Sequence, residues 1–210
     1  MAAARQSVPA AIPPLESGDH LTRDEFHRRY ELHPEIRRAE LIEGVVYVSS
    51  PVGPRHGQPH LALGGWLAAH VARHPVLFGV DNATVLLDDR NEVQPDLSLF
   101  REAATRVAQS PYIAQPPDLA IEVAVSSASI DTHAKKEAYR RNGVQEYLVW
   151  RVLDGEVDWW ELRDGEYVAL PADAAGVIES RAFPGLRLDV RALLAGDLAA
   201  VLAALRGGDR

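Results

Sequence analysis

Cysteine is absent from the 210-residue chain. Disulfide staples and Cys-ligated zinc or iron–sulfur sites are therefore excluded, and the composition suits a reducing compartment. Long apolar runs are missing too, since none approaches the ~18 residues that span a bilayer. The opening MAAARQSVPAAIPPLESGDH has no compact apolar stretch of the kind a secretory signal carries. Its prolines and small residues read as a flexible tail over 1–18, and together these absences point to a cytoplasmic protein. The chemistry is narrowed in the same way. There is no P-loop and no G-x-G-x-x-G, and Ser126, Ser127 and Ser129 have no G-x-S-x-G frame. Positive charge is in deficit, with 22 Lys and Arg against 30 Asp and Glu and a net charge of -8. That balance argues against a protein that coats nucleic acid broadly, because such affinity comes from Lys and Arg neutralising phosphates. It leaves room for an enzyme that uses a local basic rim and a bound cation.

The length fits one domain with a full core. Thr22 and Glu25 form a T-x-x-E capping box for a helix that stops before Pro34. AELIEGVVYVSS reads as two strands around Glu43-Gly44, an N-terminal β-hairpin. The stretch from His56 to His74 has near-helical apolar spacing, and its Gly64-Gly65 pair implies either close packing or a late helix start. VLFGV, ATVLLDD and PDLSLF read as strands. DLAIEVAV is almost continuously apolar, the pattern of a central strand buried on both faces. A helix is expected from about Asp131 to Asn142, closed by Gly143. QEYLVWRV, VDWWELR and EYVAL follow as a late antiparallel meander. A single α/β (α+β) domain over 19–188 is expected, with 189–210 a C-terminal helix packed on the core or on a partner.

Within that frame Glu122 is the anomaly. An ionised carboxylate in so apolar a strand costs several kcal/mol to bury unpaired, so a metal, a cation or a hydrogen-bond network must compensate it. A salt bridge at the strand's end is the bland alternative. Asp96 follows Pro95 at the start of another strand, and two carboxylates on neighbouring strand ends can converge on one hard cation such as Mg²⁺; a lone Pro-Asp otherwise reads as a turn. Lys135 lies on the helix after the Glu122 strand and could reach back to its end, there to stabilise charge developing on a phosphate. Its plainer role is an (i, i+4) pair with Asp131, itself a good N-cap. Lys136 is expected to face solvent. His56 and His60 stand four apart, but no nearby carboxylate is evident and Pro59 interrupts helix geometry, so a zinc site is disfavoured. Trp159 and Trp160 read as packing or edge-strand residues.

The order Pro95-Asp96, IEVAVSS at 121–127, Asp131, Lys135, Tyr139, Gly143-Val144 and Glu146-Tyr147 resembles the Uma2 family of bacterial restriction-endonuclease-like proteins. Glu40 to Gly44 (ELIEG) and His56 also fit, and the likeness covers roughly residues 20 to 170. The resemblance implies a fold related to the PD-(D/E)xK nucleases, with a mixed β-sheet flanked by helices and Mg²⁺- or Mn²⁺-assisted phosphodiester hydrolysis. It casts Asp96 and Glu122 as metal-binding carboxylates and Lys135 as the catalytic lysine, moved onto the next helix; Ala124 stands where the plain E-x-K signature would place it. Glu40 becomes an auxiliary acid, and Tyr139 an auxiliary residue or core packing. Leu148 replaces the aromatic that usually follows Tyr147. Nucleic acid, DNA in the first instance, is the implied partner, and paired cutting of a duplex implies a homodimer. Arg37, Arg38, Arg140 and Arg141 are available for phosphates, though solvated surface charge is their commoner role. Two other classes compete: a weakly catalytic or non-catalytic binding or regulatory module on the same scaffold, favoured by the acidic charge, and a two-carboxylate glycosidase, which needs its acids to face each other across an open cleft.

Overall fold

The computed structural model describes residues 12–101 and 111–205. Helix α1 (Arg23–Leu32) starts where the capping signal placed it, with Thr22 Oγ1 accepting the Glu25 N–H at 3.4 Å. The box closes on one side only, because the Glu25 carboxylate takes Arg28 and Arg29 instead of turning back to the cap. Strands β1 (Ala39–Ile42) and β2 (Val45–Val48) make the expected hairpin. Glu43 and Gly44 both have positive φ, 54° and 78°, as a two-residue primed turn requires. Residues 12–18, assigned to the flexible tail by sequence, pack on this hairpin instead. Leu15 is buried in one cluster with Phe26, Leu41 and Val46, and the Gly18 N–H donates to the Val46 carbonyl. Residues 1–11 of that tail lie outside the described residues.

Helix α2 (Pro54–Val71) starts at Pro54 and runs through Pro59. Neither reading of the glycine pair holds. The helix does not start late, and a Cβ at Gly64 would meet Leu97 at an ordinary 3.8 Å. Burial of Leu63, Trp66 and Leu67 along one face offsets the weak propensity of the glycines and the N–H that Pro59 lacks.

Two sheets follow from the next elements. Strands β4 (Val85–Asp88) and β5 (Asn91–Val93) extend the hairpin into a four-stranded sheet, in the order β2-β1-β5-β4. A six-stranded sheet is built from β3 (Phe78–Asp81), β6 (Leu97–Phe100), β7 (Leu119–Ala124), β8 (Glu146–Arg151), β9 (Glu156–Arg163) and β10 (Glu166–Ala169). Its order is β10-β9-β8-β7-β6-β3, antiparallel except for the parallel β7–β8 pair. The crossover between those two parallel strands is helical. It comprises α3 (Ala128–Ile130), a π-helical turn (Asp131–Lys135) and α4 (Lys136–Arg141), ending at Gly143 with φ 75°. The helix therefore begins three residues before Asp131, and Asp131 sits inside it and not at its cap.

Alternation along β7 decides which way Glu122 points. Leu119, Ile121 and Val123 join the cluster with Leu63, Trp66 and Trp159, whereas Ala120 and Ala124 join the one with Ile42, Val93 and Tyr139. Glu122 shares the parity of the second pair, so it faces the four-stranded sheet and the crossover helix. Gln94, Pro95 and Asp96 carry the chain from one sheet to the other. The expected C-terminal helix is two short ones, α5 (Val190–Leu194) and α6 (Leu198–Ala204), capped by Asp189 and Asp197 and separated at Gly196 with φ 74°. Val201 and Leu205 lie in the core, and residues 206–210 lie outside the described residues. Strands β11 (Val177–Glu179) and β12 (Arg187–Asp189) form a separate ribbon that the sequence pattern did not reveal. No helix among the described residues is long and apolar enough to cross a membrane.

Candidate active site

Three elements meet where the sheets join. Strand β1 contributes Glu40, β7 contributes Glu122, and the π-helical turn contributes Lys135, a residue only 1% exposed. Lys135 Nζ stands 2.7 Å from Glu40 Oε1 and 2.8 Å from Glu122 Oε1. Glu40 Oε1 also accepts the Gln94 N–H at 2.6 Å, and Glu122 Oε1 accepts the Tyr139 hydroxyl at 3.0 Å. A π turn carries an extra residue per turn and is common at functional sites; here it lies between β7 and α4 and buries both Asp131 and Lys135. Asp131 makes no direct pair with Lys135. Its Oδ2 accepts the Ser127 hydroxyl at 2.6 Å, and its carbonyl accepts the Tyr147 hydroxyl.

Asp96 occupies the other side of the same cleft, a space of about 410 Å³ lined by Arg38, Glu40, His56, Asp96, Glu122 and Lys135 among others. Its Oδ1 accepts from Arg38 NH1 at 3.1 Å. Its Oδ2 accepts the Val123 N–H at 2.8 Å and lies 3.2 Å from His56 Nε2. Arg38 is fixed in turn by the Gln94 carbonyl at 2.6 Å. The Asp96–Val123 bond ties the two candidate strands together one residue beyond Glu122, which is why a residue at the start of β6 and one in the middle of β7 open on one space.

The carboxylates behave differently. Burial would raise Asp96, but the His56 hydrogen bond, the Arg38 charge and the Val123 N–H outweigh it and hold the carboxyl well below the usual range. Burial pushes Glu122 well above its ordinary value. Lys135 opposes this, and Asp131, Asp96 and Glu40 reinforce it. Burial alone would discharge Lys135, but Glu122, Glu40 and Asp131 keep the ammonium charged. Asp131 is raised by its own burial, against the pull of Lys135 and Ser127. Four carboxyl groups thus share the site with two cations, Lys135 and Arg38, an excess of acids over bases in a site largely withdrawn from water.

That excess, with oxygen donors on Asp96, Glu122 and Glu40, is the donor chemistry a hard divalent cation takes. Lys135 and Tyr139 both bond Glu122 through Oε1, and Glu122 lines the cleft together with Asp96 and Glu40. The residues therefore fit Mg²⁺ or Mn²⁺ by charge and donor type.

Other sequence candidates fall differently. Pro59 does not break α2, and the carboxylate absent from sequence view beside His56 and His60 is Asp96. One ligating atom of each of these three lies within 4.8 Å of the other two. Arg38, which the sequence offered only as a phosphate contact or solvated surface charge, is instead held on Asp96 and the Gln94 carbonyl. Arg140 is held by Glu137 and Glu166, Arg141 by Glu43, and Arg37 is exposed. Lys136, expected in solvent, lies over the Trp160 ring at 3.8 Å. Among the residues that sequence reasoning missed, Gln94 had a signal, since it directly precedes the Pro-Asp pair.

The comparisons with known proteins bear on the family and the fold. No curated protein matches the chain. A solved structure from Anabaena variabilis, described as a "putative nuclease belonging to DUF820", superposes with a TM-score of 0.68 at 17% identity, covering 84% of this chain and 98% of that one. At that identity the likeness establishes the fold alone, a mixed α+β arrangement of sheets flanked by helices. The sequence matches the family Uma2, described as "Putative restriction endonuclease", over residues 23–191, and with most of its length inside that match the chain belongs to the Uma2 family.

Proposed function

We propose that this protein is a divalent-metal-dependent nuclease that hydrolyses nucleic-acid phosphodiesters, with DNA the first substrate to test. One observation carries the reading: a fully buried lysine ammonium between two acids, opening on the same cleft as a third acid held ionised by Arg38 and His56. Asp96 and Glu122 hold Mg²⁺ or Mn²⁺, and Glu40 is the auxiliary acid within reach of the same space. When bound, the ion supplies Lewis-acid polarisation of the phosphate and a more acidic water. Asp96 arrives already deprotonated, so it needs no proton loss to ligate. Lys135, kept charged by its three carboxylates, presents a fixed positive charge where negative charge develops on the phosphoryl oxygens. Tyr139 orients Glu122 by its hydroxyl. A glycosidase finds less support, because Glu40 and Glu122 share one ammonium instead of facing each other across an open cleft.

A homodimer and a cytoplasmic location complete the proposal, on the grounds that duplex cutting takes paired subunits and that the chain carries no cysteine. The acidic net charge and the ion-paired Arg140 and Arg141 favour a second reading, a binding or regulatory module on the same fold.

The decisive assay follows supercoiled and single-stranded DNA with Mg²⁺ or Mn²⁺, beside calorimetric metal binding, for wild type and for Asp96→Ala, Glu122→Ala and Lys135→Ala. Metal-dependent nicking is expected, reduced on the order of 10²-fold or more in each variant with the fold retained. Metal binding without cleavage of any substrate would select the binding-module reading.

A further inference from the structure

We infer that His56, His60 and Asp96 form a site for a first-row transition dication of the Co²⁺/Zn²⁺ class, distinct in its donors from the all-oxygen Mg²⁺ site and sharing Asp96 with it. The two histidines stand one turn apart on α2, and their rings meet edge to face at 5.6 Å. Asp96 comes from another part of the chain and closes the set. His56 Nε2 lies 3.2 Å from Asp96 Oδ2, and one donor atom of each of the three residues lies within 4.8 Å of the others. An ion bound at ~2.0–2.2 Å from nitrogen and oxygen sets its ligands roughly 3–4 Å apart, so the triad needs only a small closure.

The donor types set the selectivity. Imidazole nitrogens favour Zn²⁺, Co²⁺ and their neighbours, whereas Mg²⁺ prefers oxygen and retains its waters. Two imidazoles and one carboxylate make a set common in transition-metal centres, with positions left for water or another ligand. Support behind the ligands is present as well. Arg38 and the Val123 N–H orient Asp96, and Asp81 Oδ1 stands 3.1 Å from His60, placed to fix the ring or to add an oxygen donor. Access exists from two sides, because His56 and Asp96 line the 410 Å³ cleft, while His60 and Asp81 line a second space of about 640 Å³ against α2. The competing account is a hydrogen-bonded relay in which His56 merely orients Asp96. That account gives His60 no part in binding any ion.

The test uses metal-free full-length protein and Co²⁺ as the probe, read by its visible d–d absorption and by calorimetry, with Zn²⁺ as competitor and Mg²⁺ as comparison. Wild type is expected to bind Co²⁺ more tightly than Mg²⁺, with bands that Zn²⁺ removes. His60→Ala, which lies outside the proposed nuclease machinery, should weaken Co²⁺ at least tenfold and leave Mg²⁺ affinity within about twofold, the loss being a typical cost of one ligand. Asp96→Asn should weaken both ions. If His60→Ala and His56→Ala leave the Co²⁺ spectrum and affinity unchanged while circular dichroism shows the fold intact, the site does not exist. The same holds if wild type prefers Mg²⁺ to Co²⁺. Since none of these readouts involves cleavage, the histidine site can stand if the nuclease reading fails, and fall if it holds.

Discussion

Glu122 and Glu146 are both almost wholly buried glutamates on adjacent strands of the six-stranded sheet, 3% and 1% exposed, and they are held in opposite ways. Glu146 receives four neutral donors: Trp159 Nε1 at 3.0 Å, Ser180 Oγ at 2.8 Å, and the N–H groups of Arg181 and Ala182 at 2.7 and 2.8 Å. Each oxygen takes two bonds, and no second carboxylate stands in its hydrogen-bond set. Glu122 instead has an ammonium and a phenol on a single oxygen, with three more acids close enough to push its proton affinity up. Burial raises the pKa of both, but the reason each is tolerated differs. Glu146 stitches the loop at 180–182 to the sheet. Glu122 is crowded by three further acids in a buried site, a local cost that makes sense when a ligand repays it.

The largest effect that sharpens this contrast is removal of the cation. In metal-free protein, Lys135→Ala should cost about 3–5 kcal/mol, the range for breaking a buried ion pair, measured by urea unfolding at neutral pH. Added Mg²⁺ should recover part of that loss, as no cation could after a change at Glu146. If Lys135→Ala is as stable as wild type, the charge excess around it has been misjudged.

Next in size come the two isosteric substitutions. Glu146→Gln places an NH₂ against groups that must donate and should destabilise by about 1–3 kcal/mol through unsatisfied buried donors. Glu122→Gln keeps a carbonyl for Lys135 and Tyr139 and removes a charge that its neighbours disfavour. It should leave the unfolding midpoint unchanged or raise it, while divalent-metal binding is lost. Equal destabilisation by both would erase the distinction between a structural and a functional buried acid.

The third contrast lies in pH. A raised folded pKa means that the protonated Glu122 contributes stability below its unfolded value of 4.5, and that this contribution disappears as pH rises through the elevated folded value. Asp96 has the reverse sign: its contribution is present above 3.8 and is lost as pH falls through its depressed folded value. A cation ligated by Glu122 must displace the proton, so its affinity should fall about tenfold per pH unit below the elevated pKa and level off above it. Calorimetry across pH should show this slope in wild type and in Glu146→Gln, and no binding heat at any pH in Glu122→Gln.

The same pair of glutamates explains what the sequence could and could not reveal. Glu122 interrupts LAIEVAV, so its strangeness is visible within seven residues, and the Pro-Asp pair and following helix place its partners in order. Glu146 is the second residue of QEYLVWRV, where nothing in the local pattern marks it as buried; its burial depends on a loop some 35 residues on. Local pattern likewise carried the hairpin, the central strand, the meander and the left-handed cap at Gly143. It could not carry Arg38 and His56 onto Asp96, which are pairings 58 and 40 residues apart. The π turn was equally hidden, because its residues have the spacing of an ordinary helix, and so was the passage of α2 through Pro59, which tertiary burial permits against local propensity.

The smallest contrast removes one neutral donor from each acid. Tyr139→Phe deletes the hydroxyl on Glu122, and Trp159→Phe deletes the indole N–H on Glu146, each a loss of about 0.5–1.5 kcal/mol for a buried hydrogen bond. The two should appear in different experiments. Without Trp159 Nε1–H, Glu146 keeps three donors and no task beyond anchoring, so the change is read as a lower unfolding midpoint with metal affinity and its pH slope untouched. Without the Tyr139 hydroxyl, Glu122 becomes a poorer anion, and its already raised pKa moves further up. The pH at which metal affinity levels off should then shift upward, even where the unfolding midpoint moves little, because the protonated Glu122 is the form that the loss of a donor favours. A shift of that pH in Trp159→Phe, or none in Tyr139→Phe, would mean that the two acids are not divided between anchoring and ligation, and that the asymmetry of their donors has no bearing on what the cleft binds.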